Sequence, residues 1–332
     1  MSRKRWLALI AVAMLLVVSL VVNAATSMIF SNTSSLMDSM RHHDWTEQIV
    51  ETGEEFGGQI VVLEVTGVIQ DVGDGGLFAP TGYRHQMFLS QIEQAGKDPN
   101  VEGIIIRVNT PGGGVVESAE IHEKIVEAQT TYDKPIYVSM GSMAASGGYY
   151  IAAPADKIVA SPQTITGSIG VIMESINVTE LAENYGVKVN TIKSGPYKDI
   201  MSATREMTEE DRAILQSLID ESYDEFVRVI AEGRNMTESE VRTIGDGRIY
   251  SGNQALELDL VDELGTLDDT IAMMQDHVGN FDVIKYEPHI GFPGFLSLSL
   301  KQLFGNNTGE LATLERILAT HRSPSLQYIY TD

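Results

Sequence analysis

Ser146 stands in the stretch Gly141-Ser142-Met143-Ala144-Ala145-Ser146-Gly147-Gly148-Tyr149-Tyr150, directly after the apolar run Pro135 to Met140. A serine among small residues at that place fits a nucleophile on a strand-to-helix turn, where a substrate backbone can approach closely. Its hydroxyl is a weak nucleophile until a base removes the proton. No histidine occurs between His122 and His277. The base this stretch of chain offers is Lys198, in Lys193-Ser194-Gly195-Pro196-Tyr197-Lys198-Asp199. Lysine is charged in neutral water, with a reference pKa of about 10.4, and burial favours the neutral form a base requires. Gly195-Pro196-Tyr197 makes a rigid, partly apolar approach to it. Asp199 in contact would keep the lysine charged, but neighbouring side chains of extended chain point to opposite faces. Lys193 is the competing lysine.

Three further positions suit acyl chemistry. Ser168, in Thr166-Gly167-Ser168-Ile169-Gly170, has a hydroxyl that would orient the lysine amine. The amides that follow Ser146, starting at Gly147, begin a helix and favour developing negative charge. Gly112-Gly113-Gly114, after Asn109-Thr110-Pro111, would expose a second set of amides; without a Gly-Lys-Ser/Thr ending it is not a phosphate loop. Plainer readings stand beside these. Small residues around Ser146 also suit tight helix–sheet packing, the glycine run suits a turn, Ser168 suits a turn serine, and either lysine suits the surface. His122, His289 and His321 lack metal-ligand spacing. His42-His43 reads as a solvated pair in a linker. A serine–histidine–aspartate arrangement would require a distant histidine to fold back.

The elements that must position these residues alternate. Gln59 to Val65, Gly103 to Val108, Pro135 to Met140 and Lys157 to Ala160 read as strands, and Ser118 to Gln129 reads as a helix between them. That order indicates βαβ units with a mostly parallel sheet, covered on both faces. Thr208 with Asp211 caps a long helix that Gly233 closes. Thr237 with Glu240 and Ser251 with Gln254 start two shorter helices, the last ending near Gly265. Asp282 to Tyr286 adds a strand. No internal repeat appears.

The chain has 332 residues, a net charge of −23 and no cysteine. The charge argues against nucleic acid as a partner, and the missing cysteines exclude disulfides and thiolate chemistry. Arg3, Lys4 and Arg5 precede an apolar stretch from Trp6 to Val22, at the short end of a bilayer span. The basic cluster should stay in the cytoplasm, which places the body outside it. An uncleaved anchor is favoured over cleavage after Val22-Asn23-Ala24, because the run is long for a signal-peptide core. Residues 1–25 are thus read as basic start and anchor, 26–57 as a stalk, 58–290 as the catalytic body and 291–332 as a C-terminal segment. The uncharged end, residues 323 to 331, carries Leu326, Tyr328 and Tyr330 on one face. An extended peptide of that kind enters a cleft by strand addition.

Taken together, Asn109 to Gly114, Gly141 to Tyr150, Thr166 to Gly170, Lys193 to Ile200, and Gly247 to Gly265 resemble the signal peptide peptidases of the protease IV type, in their short membrane-anchored form. The resemblance spans about residues 58 to 270 and implies a Clp/crotonase-type spiral of ββα units. It implies a Ser–Lys dyad with Ser146 as nucleophile, Lys198 as general base and Ser168 orienting it, and oxyanion amides from Gly113 and Gly147. It also implies peptide substrates such as cleaved signal peptides, a dome-shaped homo-oligomer (an octamer among the sizes) on the outer membrane surface, and no metal or cofactor. A crotonase-like acyl-CoA enzyme and a non-catalytic membrane scaffold of the same fold are the rival readings.

Overall fold

The computed structural model describes residues 45–72, 83–288 and 326–330. Its strands are β1 (Trp45–Glu51), β2 (Gln59–Thr66), β3 (Val101–Thr110), β4 (Gly112–Gly114), β5 (Ile136–Ala145), β6 (Lys157–Ala160), β7 (Ile165–Gly167), β8 (Ile249–Ser251), β9 (Glu263–Leu264), β10 (Asp282–Pro288) and β11 (Gln327–Ile329). Its helices are α1 (His85–Lys97), α2 (Val115–Tyr132), α3 (Gly147–Ala152), α4 (Thr179–Asn184), α5 (Glu209–Gly233), α6 (Glu238–Ile244), α7 (Gly252–Glu257) and α8 (Leu267–Val278). The chain divides into two compact units, residues 1–46 with 287–289 and residues 47–286 with 290–332. Of the first unit only the outer ends of β1 and β10 are described.

The main sheet runs β1-β10-β2-β3-β5-β6-β9, with β7 beside β5 and β8 on β7. The pairs β10/β2, β2/β3, β3/β5, β5/β6, β5/β7 and β6/β9 are parallel, as the alternation of strands and helices predicts, and β7/β8 is antiparallel. Ile60 to Leu63 of β2 and Ile104, Ile105 and Ile106 of β3 are all buried. Strands covered on both faces need unbroken apolar runs, and each such side chain contributes about 1.5–3 kcal/mol. Ile271 and Met274 of α8 close one part of this core over Ile60, Val62, Ile105, Tyr137 and Val283.

The expected capping boxes at Thr208/Asp211, Thr237/Glu240 and Ser251/Gln254 are all formed, and Thr266/Asp269 adds another. One boundary differs from the expectation. α7 stops at Glu257, and β9 intervenes before Gly265, because Ile158 N donates to Asp262 and draws the chain onto β6 as a strand. A strand also lies in the stretch read as stalk, since β1 joins the sheet. The anchor at residues 1–25 and most of the C-terminal segment lie outside the described residues. Among the described residues no helix is long and apolar enough to cross a membrane.

Candidate active site

Parallel register brings the carboxyl ends of the central strands together. Thr66 pairs with Asn109, Thr110 with Ala144, and Ala145 with Gly167. The glycine run, Ser146 and Ser168 therefore lie along one edge, where open α/β sheets form their crevices. Ser146 sits between β5 and α3 with φ 54° and ψ −117°, a backbone state that side-chain-bearing residues avoid. The turn is pinned from both sides. Ser146 N donates to the Gly167 carbonyl at 2.8 Å, and the Ser146 carbonyl accepts from Tyr149 N and Tyr150 N, each at 2.9 Å. Its Oγ is buried and has no hydrogen-bond partner among the described residues. A strained strand-to-helix turn with an uncommitted hydroxyl is the arrangement a serine nucleophile needs.

Gly147 is the first residue of α3, so its amide has no acceptor within the helix. Gly112 holds φ 100° and its amide donates to Thr110 Oγ1 at 3.0 Å. A Cβ on Gly112 would collide with the Tyr328 carbonyl oxygen and lie 2.6 Å from Gly147 N. Gly113 is held between Ile69 and Tyr328, bridging the first and pairing with the second. Gly112 and Gly147 thus border the same small space with the Tyr328 carbonyl beside it, and Gly113 is the next residue of β4 and the one paired with Tyr328.

Lys198 lies in the loop before α5 and is exposed; no hydrogen bond joins it to Ser146. Asp199 is engaged by residues other than Lys198. Asp199 Oδ1 takes Lys193 Nζ at 2.6 Å and Arg205 Nε at 2.9 Å. The hydrogen bond from Lys193, helped by Arg205, lowers the Asp199 pKa below the usual carboxylate range. Lys193 also donates to the Pro196 carbonyl at 2.9 Å, so its Nζ is held by two partners. Ser168 follows Gly167, has φ 50°, is nearly buried and donates its amide to the Arg248 carbonyl at 2.8 Å.

The C-terminal tail occupies the cleft as an added strand. β11 pairs antiparallel with β4, placing Gln327 on Gly114, Tyr328 on Gly113 and Ile329 on Gly112. Gln327 and Ile172 exchange backbone hydrogen bonds of 3.1 Å on the other side, and Tyr330 N donates to the Pro111 carbonyl at 2.8 Å. Tyr328 is fully buried, stacked 5.0 Å from Tyr150 and 4.6 Å from Phe226, and its hydroxyl donates to the Ser222 carbonyl at 2.7 Å. Burial pushes the Tyr150 and Tyr328 phenols up, so both stay protonated. His122 packs on Tyr150 from behind, and desolvation pushes its pKa down. Beside the tail, a cavity of about 1070 Å³ is lined by Asp71, Glu117, Glu120 and Glu174, among others, and by no lysine or arginine among the described residues. The sequence reading missed the Tyr150–Phe226–Ser222 pocket; the tyrosines within the Ser146 motif were its one local sign. It also missed Ser118 of α2, whose Oγ is buried without a partner.

Residues 128–280 match peptidase family S49. The chain is 38% identical over 305 residues to a putative signal peptide peptidase SppA of Enterococcus faecium, covering 90% of this chain and 88% of that one. It is 35% identical to a putative protease of Methanocaldococcus jannaschii, covering 79% of this chain and 85% of that one. It is also 35% identical to Protease 4 of Salmonella typhi, over 73% of this chain but 38% of that longer protein.

Proposed function

The chain belongs to peptidase family S49 and is a serine peptidase, and on that premise we propose that it is a membrane-anchored endopeptidase acting outside the cytoplasm through Ser146 and Lys198. Neutral Lys198 accepts the Ser146 proton as Oγ attacks a peptide carbonyl, with Ser168 orienting the amine. The Gly113 and Gly147 amides hold the oxyanion; as it collapses the peptide C–N bond breaks and Lys198 passes its proton to the leaving amine, and water deprotonated by Lys198 then hydrolyses the acyl ester and frees Ser146. No metal or cofactor enters the scheme. The observation that carries it is the strained Ser146 turn, with its uncommitted Oγ, next to the glycine run on which the strand β11 is seated. The substrates are peptides such as cleaved signal peptides, which the proposed anchor at residues 1–25 keeps near. The fold is read as a Clp/crotonase-type spiral, for which the mostly parallel sheet is the support.

Assembly into a homo-oligomer supplies what the single chain does not. Ile176, Leu181, Tyr185, Val187, Val189 and Ile192 are all more than half exposed in the segment leading to Lys198. An apolar surface of that kind is covered when copies meet, and the same meeting orders the lysine loop against a Ser146. The rival acyl-CoA reading fits the cavity beside the tail poorly, because phosphate groups would face Asp71, Glu117, Glu120 and Glu174 with no lysine or arginine among the described residues of its lining. A serine-reactive phosphonate tests the proposal: the label should map to Ser146 in the wild type and be lost in Lys198→Ala. Labelling elsewhere, or undiminished labelling of Lys198→Ala, refutes it.

A further inference from the structure

Among the described residues, two serine hydroxyls are buried without any hydrogen-bond partner: Ser146 and Ser118. The first is the nucleophile of the scheme above. The second has no task in it. A buried hydroxyl left unpaired is destabilising, and a helical serine has an easy remedy in bonding back to a carbonyl three or four residues earlier. Ser118, in the first turn of α2, makes no such bond.

Its position is informative. A Cβ on Gly147 would lie 2.6 Å from Ser118 Oγ, 3.1 Å from the Tyr328 carbonyl oxygen and 3.2 Å from Gly112 Cα. The hydroxyl therefore borders the same point as the carbonyl of the seated peptide and the two glycine segments that flank it. We propose that Ser118 is a further catalytic residue, a side-chain donor to the oxyanion alongside the amides of Gly113 and Gly147. The inference rests on the proposed Ser146 peptidase reading.

In the attack, the Ser146 Oγ–C bond forms, the serine proton passes to Lys198, and the carbonyl π pair moves onto oxygen. The carbon becomes tetrahedral and its oxygen leaves the peptide plane. In the seated strand the Tyr328 carbonyl is planar and Ser118 has no bond, as expected of a donor aimed at the oxyanion's position and not the ground-state oxygen's. A bond made only in the transition state raises kcat and leaves substrate binding unchanged.

The test is steady-state peptide cleavage by full-length Ser118→Ala and Ser118→Thr beside the wild type, with melting temperatures and the affinity of a peptide aldehyde. Ser118→Ala should lower kcat by about 100-fold with KM unchanged, the scale for loss of one oxyanion donor. Its melting temperature should equal or exceed the wild type's, because an unpaired hydroxyl has gone. Aldehyde affinity should fall while affinity for the released product peptide holds, and Ser118→Thr should recover most of the activity. A kcat of Ser118→Ala within twofold of wild type overturns the inference and leaves the Ser146 reading standing. So does a loss shared by Ser118→Thr or accompanied by a lowered melting temperature, which assigns Ser118 to packing. A wild type that neither cleaves peptides nor labels at Ser146 overturns both.

Discussion

Tyr328→Ala should open the cleft. The wild-type side chain is fully buried against Tyr150 and Phe226 and donates to the Ser222 carbonyl. Removing most of an aromatic side chain from such a pocket forfeits about 2 kcal/mol of burial, and the ring contacts and hydrogen bond raise the loss to about 3–4 kcal/mol. That shifts the seated-to-released equilibrium of the tail by about two to three orders of magnitude. Because the tail is tethered, its effective concentration at the cleft is high, and wild-type Ser146 should react with a phosphonate slowly until the tail is displaced or cut. Stopped-time labelling with intact-mass readout measures this directly. Tyr328→Ala and a chain truncated before Ser323 should label at the same fast rate, with Tyr328→Phe between them and the wild type. On prolonged incubation the wild type should lose the residues after Tyr328, whose carbonyl borders Gly112 and Gly147, while Ser146→Ala keeps its full mass. Equal labelling rates for wild type, Tyr328→Ala and the truncated chain would refute the reasoning.

Ser146→Ala and Lys198→Ala should each reduce peptide turnover to near background with an unchanged melting temperature, since the two residues act as a unit; if copies share sites, mixing and reassembling the two variants restores part of the activity. Gly147→Ala should fold yet fail to label, because its Cβ would press on Ser118 Oγ at 2.6 Å and on the bound carbonyl at 3.1 Å; normal labelling would show that this space is not needed. The hydrogen bond from Arg205 holds Asp211 at a pKa of about 2. A carboxylate depressed on folding contributes stability that is present above its unfolded pKa of about 3.9 and is lost as pH falls towards 2. Asp211→Asn should therefore melt lower at pH 7 and show a flatter melting temperature between pH 4 and pH 2; an unchanged slope there would show that the pair carries no folding energy. Protease added to intact, wall-stripped cells should digest the body, and protection until lysis would place it in the cytoplasm.

What local chemistry specifies could be read directly from the chain. Unbroken apolar runs at Ile60, Ile104 and Ile136 announced strands buried on both faces, and Thr208, Thr237 and Ser251 announced helix starts, because period and capping act over a few residues. The turn at Ser146 was legible for the same reason, since its small neighbours are adjacent in sequence. β1 and the end of α7 were not, because a strand at a sheet edge and a strand drawn in by Asp262 depend on partners far along the chain. The tail stands between these cases: its alternating Leu326, Tyr328 and Tyr330 marked it as a strand that enters the protease cleft, but not that Tyr328 would pair with Gly113 and pack on Tyr150 and Phe226.

The sequence by itself determined the small-residue setting of Ser146, the parallel α/β order and the glycine run beside it. Tertiary structure alone decided the rest. It assigned Asp199 to Lys193 and Arg205, leaving Lys198 out of that ion pair. It assembled the Tyr150–Phe226–Ser222 pocket that seats Tyr328, and it turned Ser118 towards Gly147. The physical reason is range. Dihedral preference and periodicity are properties of neighbouring residues, whereas the partner of a carboxylate, ring or hydroxyl is chosen by whichever distant segment the sheet brings against it.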